Sequence, residues 1–318
     1  MKFRIMILIP SFLIVALSLS ACRRGLPSSA PTLAAGQDYT ASLTFQDRPR
    51  AYLLHLPAGY DAAKTYPLLL AFHGGKLGTP QGMLRLTSFN TLADAHGFIV
   101  AYPEGYKQSW ADGRGITDAD KDGIDDVGFV SALIDLLVRD RHADPTHVYA
   151  AGISNGALFT QRLGCQLAAR ITAIGVVSAS MGTALAATCQ PSRLVPMVMM
   201  EGTDDPILPF AGGDIPRGAV LSADAAAAKR ATLNGCSPTP TVTLLPDTAP
   251  ADGTTVELRA YLACAENAAV DYYIIHGGGH AWPGGWAYLP AAIIGRTSRD
   301  IDASAILWDF FNGFSIQE

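Results

Sequence analysis

The sequence lacks a surplus of basic residues. Its 318 residues contain 23 Lys and Arg against 28 Asp and Glu, which gives a formal net charge of −5 at pH 7. Proteins that bind nucleic acids need clustered Lys and Arg to displace counterions, so we expect no nucleic-acid partner. Hydrophobic residues make up 49% of the chain. This share is enough to bury a sizeable core, and it excludes a largely disordered chain.

Motifs of several enzyme classes are also missing. The sequence has no CxxC pair and no HExxH motif, and neither GxxxxGK[ST] nor GxGxxG occurs in the glycine-rich loop at residues 72–76. Zinc centres and phosphate-binding loops depend on these spacings. A helical zinc pair of His276 and His280 is excluded as well, because three consecutive glycines between them oppose a helix. We therefore expect no cofactor, and no metal except in one acidic loop described below.

Long apolar runs are absent except at the N-terminus. Residues 1–4 are basic, residues 5–19 are almost entirely apolar, and Leu19-Ser20-Ala21-Cys22 follows. This order is typical of a secretory signal, and its last four residues resemble the lipobox of bacterial lipoproteins. We predict a signal peptide over residues 1–21, an acylated Cys22, and an exported protein anchored to a bacterial membrane, facing the periplasm or the exterior. An ordinary signal or an anchor helix stays open as the alternative.

Cysteine is scarce, and its number fits export. Apart from Cys22 there are four cysteines. An even set in an oxidising compartment predicts two disulfides. Of the three pairings, we favour Cys165 with Cys189 and Cys236 with Cys264, because each closes a local loop between adjacent elements. Four buried free thiols are the alternative.

Beyond the signal, the composition changes once. Residues 22–37 are rich in Ser, Pro, Ala and Gly and are predicted to form a flexible tether, and residues 38–318 are predicted to form one domain. Predicted strands cover residues 39–45, 51–56, 67–72, 98–102, 148–151, 173–177, 195–200 and 272–275. Predicted helices cover residues 83–96, 127–139, 155–169, 223–233 and 303–311. Short apolar runs that alternate with helices predict an α/β fold with a mostly parallel, doubly wound sheet and an antiparallel start.

A G-x-S-x-G pentapeptide, Gly152 to Gly156, lies between a predicted strand and a predicted helix. This context is that of the nucleophile elbow of α/β-hydrolases, where a tight turn holds a strained serine between small neighbours. Ser154 is therefore the candidate nucleophile. The first oxyanion donor is predicted to be the backbone N–H of Asn155, and the second that of Gly75 in the loop after the third strand.

The base and the acid should follow the serine along the chain. Only His276 and His280 do so, and His280 is preferred because it lies in a loop beyond a strand, where ligands bind in open α/β sheets. The acid should orient the imidazole from the loop after residues 195–200. Asp205 is the choice there, with Asp204 in reserve. These residues predict an α/β-hydrolase catalytic domain over residues 38–318.

Six segments resemble the polyhydroxybutyrate depolymerase and feruloyl esterase family of secreted esterases. They are HGG at His73, YPEG at Tyr102, DDVGF at Asp125, GISNGA at Gly152, GTDDPILPF at Gly202 and GGGHAWPGG at Gly277. The resemblance implies a cofactor-independent hydrolase of carboxylic esters, acting on polyester oligomers or on esters of the plant cell wall. It also implies a catalytic role for Ser154, Asp205 and His280. Glu201 departs from the family, which often has His at this position.

Two further features carry open interpretations. Asp118, Asp120 and Asp122 lie in a DxDxDG pattern that resembles a calcium loop, although Phe129 replaces its final glutamate. A structural calcium ion and a solvated loop that caps the next helix both stay open. Trp110 and Trp282 are candidates for a substrate-binding aromatic floor, and packing in the core is the alternative for them.

Two functions other than an esterase also stay open at the level of sequence. One is a lipoprotein that binds a glycan or lipid on a hydrolase fold without catalysis. The other is a serine peptidase, which would use the same three side chains on an amide bond.

Overall fold

A ten-stranded sheet organises the residues that the computed structural model describes, which are 33–317. The strands are β1 Gln37–Phe45, β2 Arg48–Leu56, β3 Tyr66–Phe72, β4 Ile99–Pro103, β5 Ala143–Ile153, β6 Ala173–Val177, β7 Met197–Gly202, β8 Thr241–Leu244, β9 Thr255–Tyr261 and β10 Val270–His276. Their spatial order is β1-β2-β4-β3-β5-β6-β7-β10-β9-β8. The six central strands in this spatial order, β4, β3, β5, β6, β7 and β10, run parallel to one another. The outer strands β1 and β2 at one edge, and β9 and β8 at the other, pair antiparallel with their neighbours.

Helices cover both faces of this sheet. They are α1 Pro80–Thr87, α2 Phe89–His96, α3 Asp118–Lys121, α4 Asp126–Arg141, α5 Asn155–Gln166, α6 Thr183–Thr188, α7 Ala223–Leu233, α8 Ala291–Ile294 and α9 Ala303–Phe311. Strand β3 explains the two-sided burial, since Leu68 and Leu70 join one core cluster while Leu69 joins the other. Side chains alternate along a strand, so a continuous apolar run fills both layers. The predicted α/β architecture is confirmed.

Several elements differ from the sequence predictions, most clearly near residue 88, at the β8 edge of the sheet and in the tether. The helix predicted over residues 83–96 is two helices, because Ser88 adopts a left-handed conformation with φ of 52° between α1 and α2. Strands β8 and β9 were not predicted. Strand β1 begins at Gln37, inside the predicted tether, and Leu33 packs against the core.

Two disulfides link segments that are separate in the sequence. Cys165 in α5 is bonded to Cys189, and Cys236 is bonded to Cys264. Both predicted pairings are confirmed, and such bonds are typical of exported proteins. The signal peptide, Cys22 and its acylation, and most of the tether lie outside the described residues. Across residues 33–317, no helix combines the length and the apolar character needed to cross a bilayer.

Candidate active site

Ser154 occupies a strained turn between β5 and α5. Its φ of 57° and ψ of −124° are unfavourable for a residue with a side chain. The neighbouring glycines make the turn sterically feasible. A Cβ atom on Gly152 would lie 2.5 Å from the carbonyl carbon of Gly156, and one on Gly156 would lie 2.3 Å from the carbonyl oxygen of Phe72. Ser154 therefore has the backbone geometry of a nucleophile elbow, as its pentapeptide predicts.

His280 and Asp205 form a buried pair at the carboxyl ends of β10 and β7. The Nδ1–H of His280 donates to Oδ2 of Asp205 over 2.6 Å, and the two side chains are 3% and 0% exposed. Oδ1 of Asp205 accepts hydrogen bonds from the backbone N–H groups of Ile207 and Leu208. The carboxylate is thus fixed on both oxygens, and the Nε2 atom of the imidazole is left for another partner.

The two alternative residues lie elsewhere. Asp204, the reserve acid, is exposed and faces Arg296 across 3.7 Å. His276 is directed toward Glu257, with 3.3 Å between Nε2 and the carboxylate. Neither side chain contacts the imidazole of His280 through a hydrogen bond within residues 33–317.

Hydrogen bonds link the segments that carry the serine and the histidine along one rim of the sheet. The N–H of Ser154 donates to the carbonyl of Val177 at the end of β6, and the next residue, Ser178, donates its hydroxyl to the carbonyl of Ala281 over 2.8 Å. Ala281 directly follows His280. No hydrogen bond joins the Ser154 hydroxyl to the imidazole in the described part of the chain. Catalytic hydrogen bonds are often long in ligand-free enzymes and tighten when substrate binds.

Both predicted oxyanion donors lie beside the nucleophile. A Cβ atom on Gly74 would lie 3.4 Å from Cβ of Ser154, and one on Gly75 would lie 3.5 Å from Cβ of Asn155. Asn155 is the first residue of α5, where backbone N–H groups have no partner inside the helix. Among residues 33–317, the N–H groups of Gly75 and Asn155 donate to no other protein atom. Both N–H groups are therefore free to bind a developing negative charge.

His73 holds the loop that carries Gly75, a role that the sequence analysis missed. Its Nε2 accepts from the N–H of Gly105 over 3.0 Å, so the proton lies on Nδ1, which donates to the carbonyl of Gly74 over 2.7 Å. Burial lowers the pKa of the ring to about 4. The imidazole is thus neutral at pH 7. The HGG segment at His73 is the sequence sign of this loop, but the pattern alone does not indicate which groups the imidazole bonds to.

Glu201 places a second carboxyl group next to Asp205. It lies in β7 and is 2% exposed, and its Oε1 atom has no hydrogen-bond partner in the described part of the chain. Burial raises the pKa of Glu201 well above its usual range, and the negative charge of Asp205 raises it further. Both effects favour the neutral acid. The neutral form of Glu201 adds no second negative charge beside Asp205.

The two predicted substrate-binding tryptophans lie in the core instead. Trp110 is 0% exposed and stacks on Phe159, and its indole N–H donates to the carbonyl of His73 over 3.0 Å. Trp282 is 1% exposed and donates to the hydroxyl of Ser304 over 3.0 Å. Because each indole buries its ring and satisfies its single donor internally, the geometry favours packing in the core over a pocket-lining role for both residues.

Two of the three carboxylates of the acidic loop have separate partners. Asp120 accepts from the backbone N–H groups of Gly113 and Gly115, and Asp122 forms an ion pair with Lys107 over 2.8 Å. Within residues 33–317, no group of three or more His, Cys, Asp or Glu side chains is arranged to hold a metal ion. This geometry favours the interpretation of a solvated loop. The next helix, α4, is capped by Asp125.

A family model and two relatives that match this chain are all described as esterases. The family model described as "Esterase PHB depolymerase" matches residues 50–207. The protein named "Putative esterase NocK" of Nocardia uniformis is 30% identical over 278 residues, which are 84% of this chain and 80% of that protein. Feruloyl esterase B of Piromyces equi is 28% identical over 243 residues, which cover 73% of this chain but only 42% of that protein.

Comparison with solved structures gives the same fold. The acetyl xylan esterase of Aspergillus awamori superposes with a TM-score of 0.53 over 76% of this chain and 94% of that structure. The two sequences are 14% identical, so this likeness concerns the fold alone. It agrees with the mostly parallel sheet and with the α/β-hydrolase prediction.

Proposed function

This chain belongs to the PHB depolymerase family of esterases and is a carboxylic ester hydrolase, and we propose that Ser154, His280 and Asp205 are its catalytic triad. The observation that carries the proposal is the buried hydrogen bond of 2.6 Å between His280 Nδ1 and Asp205, at the rim where Ser154 occupies the elbow. This bond selects one tautomer of the ring. Its Nε2 atom can then accept the proton of the serine hydroxyl.

The proposed reaction has two halves. Ser154 Oγ attacks the ester carbonyl carbon while its proton passes to Nε2 of His280, and the N–H groups of Asn155 and Gly75 hold the negative oxygen. The C–O bond to the alcohol then breaks, and the imidazolium gives its proton to the leaving alkoxide. In the second half, His280 takes a proton from a water molecule while the water oxygen attacks the carbonyl carbon of the acyl-enzyme. The tetrahedral intermediate then collapses as the bond between Ser154 Oγ and the acyl carbon breaks. The imidazolium returns its proton to Oγ, which releases the carboxylic acid and restores the serine hydroxyl.

Replacing the nucleophile tests the proposal. Ser154→Ala should lower kcat for p-nitrophenyl acetate by on the order of 10⁴-fold or more, because no other group can form the acyl-enzyme. Ser131→Ala is a suitable control, since Ser131 lies on α4 and contacts Arg170 instead of the site. Full activity of Ser154→Ala, with a normal unfolding temperature, would exclude Ser154 as the nucleophile. Activity on the ester but not on a matched anilide would separate the esterase from a peptidase.

The natural substrate is proposed from the relatives. Their names include feruloyl esterases and, for a protein of which this chain covers 22%, a bifunctional acetylxylan esterase/xylanase. We propose an ester of a plant-wall polysaccharide as the substrate, with hydroxybutyrate oligomers as the competing class. Comparing kcat/KM for methyl ferulate, acetylated xylan and hydroxybutyrate trimer under identical conditions decides between them. A preference for the trimer of tenfold or more would contradict the plant-wall assignment.

Beyond export, we propose a location for this protein at the membrane surface. The two disulfides are consistent with an oxidising compartment. We propose that acyl chains on Cys22 anchor the mature chain to the membrane surface, since several chains together bind stably and one alone does not. In a bacterial host, the full chain should partition into the detergent phase of Triton X-114, and Cys22→Ser should move it to the aqueous phase. Aqueous partitioning of the unmodified chain would contradict the anchor.

A further inference from the structure

The side chain of Asn155 is held rigidly although it is not a catalytic group. It is 6% exposed, and its Oδ1 accepts from the backbone N–H of Trp110 over 2.8 Å. Its Nδ2 donates to the carbonyl of Trp110 over 3.1 Å and to Oδ2 of Asp112 over 2.6 Å. Three hydrogen bonds therefore fix the residue that directly follows Ser154 in the chain.

Asp112 is held in turn by Arg114. The carboxylate is fully buried, and Nε and Nη2 of Arg114 bind it in bidentate fashion, with the shortest N···O distance at 2.7 Å. Arg114 is itself buried and donates to the backbone carbonyl of Arg217. A Cβ atom on Gly182 or Gly218 would lie 3.2 Å from its side chain. The ion pair thus connects Asn155 to two loops that follow β6 and β7.

This arrangement has a physical reason at the elbow. The strained backbone of Ser154 persists only where surrounding contacts over-determine it. The glycines make the turn sterically possible, but they do not orient the peptide that follows it. Anchoring Asn155 through its side chain restrains that peptide. A buried carboxylate without its Arg partner would be costly, so the pair acts as one unit.

We propose that Asp112, held by Arg114, is a positioning residue that aligns the Asn155 backbone N–H in the oxyanion hole. The inference rests on the proposed function, in which this N–H binds the oxyanion. Asp112 touches no reacting atom. Its effect should therefore appear in the transition state, where the negative oxygen forms, and hardly in the binding of the ground-state ester.

The test uses Asp112→Ala, Asp112→Asn and Asn155→Ala in the full chain. Loss of one oxyanion donor lowers kcat by about 10²- to 10³-fold, and a displaced donor loses part of this. We expect Asp112→Ala to lower kcat for p-nitrophenyl acetate by about 10- to 100-fold while KM changes less than about threefold. The inhibition constant of phenylboronic acid, which forms a tetrahedral adduct with a serine hydroxyl, should rise by the same factor as kcat falls.

Two comparisons distinguish positioning from a merely structural role. Asp112→Asn keeps an oxygen that can accept from Asn155, so it should retain more activity than Asp112→Ala. Combining Asp112→Ala with Asn155→Ala should cost little more than either change alone, because both break the same contact. The control is Asn234→Ala. Asn234 is also fully buried, and its side chain donates to the backbone carbonyls of Val195 and Ala268. These two residues precede β7 and β10, at the end of the sheet away from the candidate site. The Asn234→Ala substitution should therefore lower stability without lowering kcat.

The inference is overturned if the folded Asp112 variants keep wild-type kcat and boronate affinity, even if their unfolding temperatures fall as that of Asn234→Ala does. If Asp112→Ala does not fold, Asn155→Ala removes the same hydrogen bond from its other end, and wild-type kcat and boronate affinity in that variant overturn the inference. Failure of the proposed function would look different. In that case Ser154→Ala would remain active, whatever the Asp112 variants do.

Discussion

The buried imidazole of His73 should make the stability of the fold depend on acid. It is 1% exposed, and both of its ring nitrogens are hydrogen-bonded, Nδ1 as donor and Nε2 as acceptor. Protonation would place an N–H at Nε2 against the N–H of Gly105. Burial adds to this cost, and the pKa is lowered from 6.5 to about 4. At about 1.4 kcal/mol per pKa unit, the difference amounts to about 3 kcal/mol.

The direction follows from proton uptake. Between pH 6.5 and about 4, the unfolded chain binds a proton at His73 that the folded chain does not bind. The stabilising contribution is therefore complete above pH 6.5, and it is lost as the pH falls toward 4. We expect the free energy of unfolding of wild type relative to His73→Gln to shrink by about 3 kcal/mol between pH 7 and pH 4.

Urea unfolding followed by tryptophan fluorescence at several pH values measures this difference. Other titrating groups contribute equally to both proteins and cancel in the comparison. His142→Gln, at an exposed position, controls for the replacement of a histidine as such. A wild-type advantage over His73→Gln that stays constant from pH 7 to pH 4 would refute the assignment of a neutral, doubly bonded ring.

Three other predictions follow from single contacts. Asp205→Asn should lower kcat for p-nitrophenyl acetate by about 10³- to 10⁴-fold, because an amide favours the wrong imidazole tautomer. Asp204→Asn should leave kcat within about twofold. Equal losses in the two variants would contradict the choice of Asp205 as the acid. Millimolar calcium should leave the unfolding temperature unchanged, because Asp120 and Asp122 already have protein partners, and an increase measured by calorimetry would restore the calcium hypothesis. Removing the disulfide with Cys165→Ala and Cys189→Ala should lower the free energy of unfolding by roughly 3 kcal/mol in urea titrations, and an unchanged midpoint would argue against the bond.

The parts of the site that were predictable share one property, which is that the chemistry imposes a local pattern. Gly152 and Gly156 must be small because the turn brings their backbones against neighbouring chain, and this requirement is visible as a pentapeptide. His280 follows a strand and three glycines. The disulfide pairings were predictable because both close local loops. Each of these features depends on residues close together in the sequence.

The parts that were not predictable depend on tertiary context. Strand β8 has only four residues, and all of them are exposed, so no apolar run distinguishes this strand from a loop. Ser88 interrupts an apolar period that would suit one helix. Whether a tryptophan lines a pocket or the core depends on its neighbours across the sheet, as Trp110 demonstrates. The contact of Asp112 with Asn155 spans 43 residues and has no sequence pattern.

Covalent labelling shows whether Ser154 is the nucleophile. The tryptic peptide of residues 142–162 contains Ser154 as its only serine. After treatment of the protein with a fluorophosphonate, we expect a single phosphonate adduct in this peptide, assigned to residue 154 by fragmentation and absent from His280→Ala. A phosphonate on another residue, or no adduct while the enzyme still hydrolyses p-nitrophenyl acetate, would contradict this role of Ser154.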